Sequence, residues 1–365
     1  MSLTEREREI VALLRRDPLL GSEAIAEALG TTRAAVNVHL SNLGKKGVIL
    51  GRGYVLGDGP SVVVVGGANM DVKARSAQTV WPGTSNPGHA ALAAGGVGRN
   101  VAENLARLGT RTHLVAAVGA DPLGEQVLAA TSDAGVRVDH VLRSPHGTGT
   151  YTAVLDADGE LVVAVSDMRA TDELAPADVD AARDLIAAAS LVVLDGNLPA
   201  PTLGFALDLA AGAGVRVVLE PVSVPKAERV RDLLDPARPV YAVTPNRDEL
   251  AALTGLKVGT ARQVERAAEA LHARGVTWAW VRLGEHGSLL SGPDGTHELA
   301  VVPAEAVVDV TGAGDAMLAA FCHALLAGED EAAAAAYGHA AAALTVASTH
   351  TVRPDLTDRL VRRHA

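Results

Sequence analysis

Apolar positions along the chain follow two different periods, and the change between them divides it. Up to about residue 46 they recur every three to four residues, the spacing of helices with one buried face. Thr4 and Glu7 form a capping-box pattern ahead of Ile10, Val11, Leu13 and Leu14, which predicts a first helix ending near Arg16. Ser22 is placed to cap a second helix over 23–29, with Ile25, Ala26 and Leu29 on one face. Gly30 makes the turn, and Thr32 opens a third helix carrying Val36, Leu40 and Leu43 inward. Val48-Ile49-Leu50, Gly51-Arg52-Gly53 and Tyr54-Val55-Leu56 then read as strand, turn and strand.

Beyond Gly57-Asp58-Gly59-Pro60, a linker by composition, the period changes. Ser61-Val62-Val63-Val64-Val65 is an unbroken apolar run of the kind that forms a strand buried on both faces. Further strands are predicted at 112–118, 136–142, 191–194, 215–219, 240–243 and 277–283, and helices at 98–108, 124–133, 177–189, 202–211, 247–254 and 262–273. This alternation predicts an α/β fold with a doubly wound, mainly parallel sheet. Two stretches break the rhythm. Residues 72–92 show no helical period, and 149–166 read as a hairpin around Asp158-Gly159, so together they predict a small β lid beside the main sheet. The expected organisation is a helical domain at 1–57, a linker at 58–60 and a large domain at 61–365.

Composition narrows the function classes. Hydrophobic residues make up 48% of the chain and aromatics 2%, so the core must be built from Ala, Val and Leu. No charge-free apolar stretch is long enough to cross a membrane, and the N-terminus lacks a signal-peptide pattern; a cytoplasmic protein without membrane contact is expected. Cys322, the single cysteine, excludes an internal disulfide and a thiolate metal cluster, and lies in an apolar run that would bury it. The net charge of −11 is uneven: residues 1–56 hold eight Lys and Arg against six Asp and Glu. On the third helix Arg33, Asn37 and Ser41 share the polar face at four-residue spacing, with Lys45, Lys46 and Arg52 close behind in sequence. Three helices plus a β-ribbon resemble the winged helix-turn-helix of bacterial regulators, which implies binding of double-stranded DNA through residues 1–57. The same face also suits a small docking domain with a solvated surface.

The chemistry is expected at Val307-Val308-Asp309-Val310-Thr311-Gly312-Ala313-Gly314-Asp315-Ala316, read as a strand end, a glycine turn and a helix start. The first amides of a helix lack intrahelical partners and sit at the positive end of its dipole, so Gly312, Ala313, Gly314 and Asp315 form a candidate phosphoryl site. Asp315 would face the reacting oxygen as a base; an acidic residue that merely complements the helix dipole has the same appearance. After the first strand, Asn69 and Asp71 stand where open α/β sheets bind ligands, although the same residues also serve turns. Asn246 and Glu249 read either as a helix cap or as ligands to a hydrated Mg²⁺.

Asp309-Val310-Thr311-Gly312-Ala313-Gly314-Asp315 resembles the signature of the ribokinase-like (PfkB) carbohydrate and nucleoside kinases. The resemblance implies Asp315 as catalytic base and Gly312, Ala313 and Gly314 as the anion hole. Gly95-Gly96-Val97-Gly98-Arg99-Asn100 is similar to the family's second signature and implies that Gly96 and Asn100, with Asn69 and Asp71, hold the sugar. Arg99 is expected on the helix surface or at an interface. The resemblance further implies nucleotide contacts at Asn246, Glu249, Gly284, Gly287 and His339, Mg²⁺ held through water by Asn246 and Glu249, and a monovalent cation such as K⁺ at Asp309 and Thr311. ATP is the implied phosphoryl donor, and the lid is the implied surface of a homodimer.

The finer match is to the pseudouridine kinase branch, through Ser85-Asn86-Pro87-Gly88, Gly96 to Asn104, Asp167-Met168, Asn197 and Pro221-Val222-Ser223 with Lys226. This implies Ser85, Asn86, Asp167 and Lys226 as substrate contacts. Glu220 stands where that branch tends to have Asp. The expected activity is ATP-dependent phosphorylation of the pseudouridine 5′-hydroxyl. The alternatives are a kinase of another nucleoside or a ribose-type sugar, and a transcription regulator that uses the kinase domain as a ligand sensor.

Overall fold

The computed structural model describes residues 3–17, 20–49 and 59–365, and divides into two units, Met1–Pro60 and Ser61–Ala365.

In the first unit, α1 (Glu5–Arg16), α2 (Ser22–Ala28) and α3 (Arg33–Lys45) enclose a core of Ile10, Val11, Leu14, Ile25, Ala26, Val36, Leu40 and Leu43. The Thr4 and Glu7 capping box forms as expected, and Thr32 caps α3 by accepting from the Ala35 amide. Ser22 does not cap α2: the cap is Gly21, with no side-chain hydrogen bond, and Ser22 is the first helical residue. Val48 and Ile49 pack half-buried against this core, while Arg52 and the remainder of the expected ribbon lie outside the described residues.

In the second unit the chain runs β1 (Ser61–Val65), β2 (Asn69–Ser76), β3 (Gly88–Gly95), α4 (Val97–Arg107), β4 (Arg111–Gly119), α5 (Pro122–Asp133), β5 (Arg137–Ser144), β6 (Thr150–Leu155) and β7 (Leu161–Asp167). It continues through short helices α6 (Arg169–Asp172), α7 (Pro176–Asp180) and α8 (Arg183–Ala187) to β8 (Leu191–Asp195), α9 (Ala200–Ala213), β9 (Val217–Glu220), α10 (Val224–Arg231) and β10 (Val240–Val243). The last part is α11 (Arg247–Thr254), α12 (Ala261–His272), β11 (Val276–Arg282), β12 (Ser288–Gly292), β13 (Gly295–Leu299), α13 (Ala313–Ala327), α14 (Glu331–Val346) and α15 (Asp358–Arg362).

Among the described residues, nine strands form one sheet in the order β13-β12-β11-β10-β9-β8-β1-β4-β5, parallel from β11 through β5 with β12 and β13 antiparallel at the edge. The valine run of β1 explains its central place. Val62 and Val64 enter a core with α4, α13 and α14, while Val63 and Val65 enter a second core with α9, α11 and α12. Burying one such side chain contributes about 1.5–3 kcal/mol, so the period of two drives both layers onto the sheet. Gly338 lets α14 pack closely, since a Cβ there would stand 2.6 Å from the Trp280 ring and 2.9 Å from the Met317 carbonyl oxygen.

The lid is a separate sheet, β3-β2-β6-β7, in which β2 pairs antiparallel with β3 and parallel with β6. Three expectations need correction. The helix at 177–189 is broken into α7 and α8 by a turn at Ala181-Ala182. Residues 307–310 form no strand: their valines are 77%, 51% and 68% exposed, and the backbone contact is with the end of α14, where Val346 accepts from the Val308 and Asp309 amides. Arg99 is buried, not on the surface. Among the described residues, no helix is long and apolar enough to cross a membrane.

Candidate active site

Parallel sheets bind ligands at their carboxyl ends where strand order reverses, here between β1 and β8. Asp195 closes β8 and is fully buried. Its Oδ2 accepts from the amides of Gly67 at 2.9 Å and Gly98 at 2.8 Å, and its Oδ1 accepts from the Asn197 amide at 2.9 Å. The carboxylate thereby ties the turn after β1 to the first turn of α4. Burial raises its pKa, against these hydrogen bonds. Gly96 adopts φ +97°, and a Cβ there would stand 2.5 Å from the Gly67 carbonyl oxygen, so only glycine permits this crossing.

A cavity of about 620 Å³ opens above the junction, lined by Asn69, Asp71, Gly96, Asn100, Asn197, Lys226, Gly312 and Asp315 among others. Asn69 Nδ2 donates to Asp71 Oδ1 at 2.7 Å. Asn100 Nδ2 donates to Asp315 Oδ2 at 2.8 Å, while Asn100 Oδ1 accepts from Arg99 Nη1, also at 2.8 Å. The buried guanidinium therefore fixes which end of the Asn100 amide faces Asp315. Burial, opposed by the Asn100 hydrogen bond, pushes Asp315 up to about 7, a value suited to a general base at neutral pH.

Asp315 belongs to the first turn of α13, whose N-cap is Gly312 at φ +80°. Among the described residues, the amides of Gly312, Gly314 and Asp315 take no hydrogen bond. The Ala313 amide departs from the expected set of four free donors, reaching the Val310 carbonyl at 3.3 Å. Ala313 and Gly314 line a second cavity, of about 580 Å³, together with Gly284, Gly287, His339 and a wall of Val301, Val302, Val307, Val310 and Val346. Two of the valines that fail to form a strand, Val307 and Val310, thus serve in an apolar wall. His339 is buried with its pKa lowered by burial, and its Nε2 meets the Ser288 hydroxyl at 2.7 Å; Ser288 also accepts from Trp280 Nε1.

The remaining expected residues divide. Asn246 and Glu249 form the capping box of α11, with Glu249 Oε2 accepting the Asn246 amide at 2.8 Å. Glu249 is buried, and its pKa is raised by burial and then by Glu220. Lys226 donates to Asn197 Oδ1 and reaches the larger cavity. Asp167 instead pairs with Arg169 at 2.6 Å, which holds its carboxyl down at about 2. Asn86 is spent within its own loop on Trp81 and Thr84, and neither it nor exposed Ser85 lines the two cavities. The Asp309 oxygens accept from the Thr311 amide at 2.8 Å and Lys73 Nζ at 3.0 Å, so its carboxylate already holds a positive charge of the chain's own.

Sequence reading missed Asp195, Glu220 as a buried charge, and Arg282. Each closes a parallel strand, and an ionisable residue ending an apolar run was the available signal. In the first unit Arg33, Asn37, Ser41 and Lys45 are all exposed, as expected. Lys46 departs from them, its ammonium lying 2.7 Å from buried Glu7, whose carboxyl is held at about 2 by Lys46 and the Thr4 amide.

Residues 60–358 match the family model described as pfkB family carbohydrate kinase, and residues 3–49 match that of winged helix-turn-helix DNA-binding domains. The uncharacterized sugar kinase YeiI of Escherichia coli (strain K12) is 35% identical over 97% of this chain and 97% of its own length. The pseudouridine kinase of the same strain is 33% identical over 81% of this chain and 93% of its own. The solved structure of Arabidopsis thaliana ribokinase complexed with ribose and ATP superposes with a TM-score of 0.73 at 28% identity, covering 84% of this chain and 98% of that one. The ribokinase-like sheet, the lid and the glycine-capped helix carrying Asp315 are accounted for together: the chain belongs to the pfkB family of carbohydrate kinases, with a winged helix-turn-helix unit ahead of the kinase domain.

Proposed function

We propose that the protein is an ATP-dependent kinase that phosphorylates the 5′-hydroxyl of pseudouridine. The observation that carries this reading is the sharing of one helical turn by two cavities: Gly312 and Asp315 line the larger, Ala313 and Gly314 the smaller. A phosphoryl group held by that turn's unbonded amides lies within reach of an acceptor on one side and a nucleotide on the other. The smaller cavity, apolar with a glycine turn at Gly284 and Gly287, suits adenine and the phosphates.

In the larger cavity Asn69, Asp71 and Asn100 hold the ribose hydroxyls, and Asp315 removes the 5′-hydroxyl proton. Asn197 and Lys226 offer hydrogen bonds to a base edge at the same cavity, a wall that free ribose would leave without a partner. The 33% identical pseudouridine kinase supports the choice of nucleoside. Among the described residues no cluster of His, Cys, Asp and Glu could hold a bare metal ion. Glu249 Oε1 takes no hydrogen bond among the described residues, which fits a hydrated Mg²⁺ that arrives on ATP and is held through water. That ion would neutralise phosphate charge.

Exposed Leu92, Leu161, Val162, Val163 and Val165 on the lid strands favour a second copy of the chain as their cover, giving a homodimer. The test of substrate is ADP release with pseudouridine, uridine and ribose, each followed by mass measurement of the product. Pseudouridine should exceed ribose in kcat/KM by tenfold or more; preference for ribose or uridine overturns the assignment.

A second role rests on the exposed stripe of Arg33, Asn37, Ser41 and Lys45: binding to double-stranded DNA, with the kinase domain as ligand sensor. Binding to DNA upstream of its own gene at low salt, with and without nucleoside, tests it; no binding at low salt leaves a docking domain.

A further inference from the structure

Arg282 ends β11 between the carboxylates of Glu220 and Glu249. A guanidinium serving only to neutralise two acids would turn its paired N–H edges to them. Here one nitrogen serves both: Nη2 donates to Glu220 Oε1 at 2.7 Å and lies 3.3 Å from Glu249 Oε2. Nε is buried without a partner, and among the described residues Nη1 makes no hydrogen bond. Nη1 lies over Gly314, close enough that a Cβ on that residue would stand 2.5 Å from it. The side chain is 19% exposed, and Arg282 lines the smaller cavity beside Ala313 and Gly314. A fixed cation therefore presents a free donor at the turn whose Gly312, Gly314 and Asp315 amides are also free.

We propose that Arg282 is a catalytic residue that grips the γ-phosphoryl group, through Nη1, before and during its passage to the acceptor. This rests on the phosphotransfer reading above. The acceptor hydroxyl gives its proton to Asp315 and its oxygen bonds to the γ-phosphorus. The bond from that phosphorus to the β,γ-bridging oxygen breaks, and ADP leaves with the electron pair. Arg282 stays protonated throughout and offsets charge on the equatorial oxygens. Glu220 and Glu249 anchor the guanidinium at Nη2, so that it does not fold back onto Asp315.

The test is calorimetric binding of Mg·ADP and of the Mg complex of the β,γ-imido analogue of ATP to wild type, Arg282→Gln, and the double variant Arg282→Gln with Glu220→Gln, which restores the local charge balance. Turnover is measured alongside. Both variants should bind ADP within about threefold of wild type, bind the analogue at least about tenfold more weakly, and lose about 100-fold or more in kcat. Equal losses for both nucleotides, no loss for either, or recovery of the rate in the double variant overturns the proposal. A wild type inert toward pseudouridine but showing the analogue-specific loss at Arg282 would sink the substrate assignment and leave this inference standing.

Discussion

Replacing Asn100 by Leu removes the hydrogen bond that stabilises ionised Asp315 while keeping a side chain of similar size. Burial pushes the Asp315 pKa up to about 7 even with the Asn100 amide donating at 2.8 Å. A hydrogen bond to a charged group contributes about 1.5–3 kcal/mol. One pKa unit corresponds to about 1.4 kcal/mol, so the midpoint should rise by about one to two units, to between about 8 and 9. At pH 7 the ionised fraction of the base would fall from roughly one half to between roughly 1% and 10%. The assay is kcat/KM against pH from about 5.5 to 9.5, read by ADP release. Wild type should climb about tenfold per pH unit below its midpoint and level off above it, because the base acts only when ionised. In the variant the climb should continue to higher pH. A midpoint within about 0.3 unit of wild type would refute both the assignment of Asp315 and the role of the Asn100 amide in setting its charge.

Gly96→Ala should leave little folded, active enzyme, since the new methyl would stand 2.5 Å from the Gly67 carbonyl oxygen at a φ of +97°; thermal denaturation and soluble yield check this. Val222 lies at φ +72° in the wall of the larger cavity, the single non-glycine residue with positive φ among the described residues. Backbone strain of this kind costs about 1–3 kcal/mol. Val222→Gly should therefore raise the melting temperature while raising KM for the nucleoside; a lower melting temperature would show that the strain is absent or outweighed by lost packing.

Most of the fold was legible because periodicity and turn chemistry report local physics. The valine run of β1, the capping boxes at Thr4 and Asn246, and the hairpin at Asp158-Gly159 are decided by neighbouring residues. α14 carries little amphipathic signal, because its alanine-rich stretch buries residues on most sides. Residues 307–310 have strand-forming valines but no neighbouring strand to pair with, and pairing is a long-range property. The site follows the same division. Asp315 and the glycine turn are contiguous and could be read directly. The Glu220, Arg282 and Glu249 cluster joins the ends of β9 and β11 with the start of α11, and only the strand order brings these together. The burial of Arg99 has the same origin: its partners are Thr131, Ala94 and Glu103, contributed in part by α5 and β3.

The most direct measurement is the rate at which Asp315→Asn forms nucleoside 5′-phosphate from ATP, set beside its affinity for ATP. Loss of a positioned base should lower kcat by about 10²- to 10⁴-fold, with nucleotide affinity kept within a few-fold. Turnover at the wild-type rate would mean that the proton leaves by another route, and that the carboxylate at the head of α13 is there for the helix rather than for the reaction.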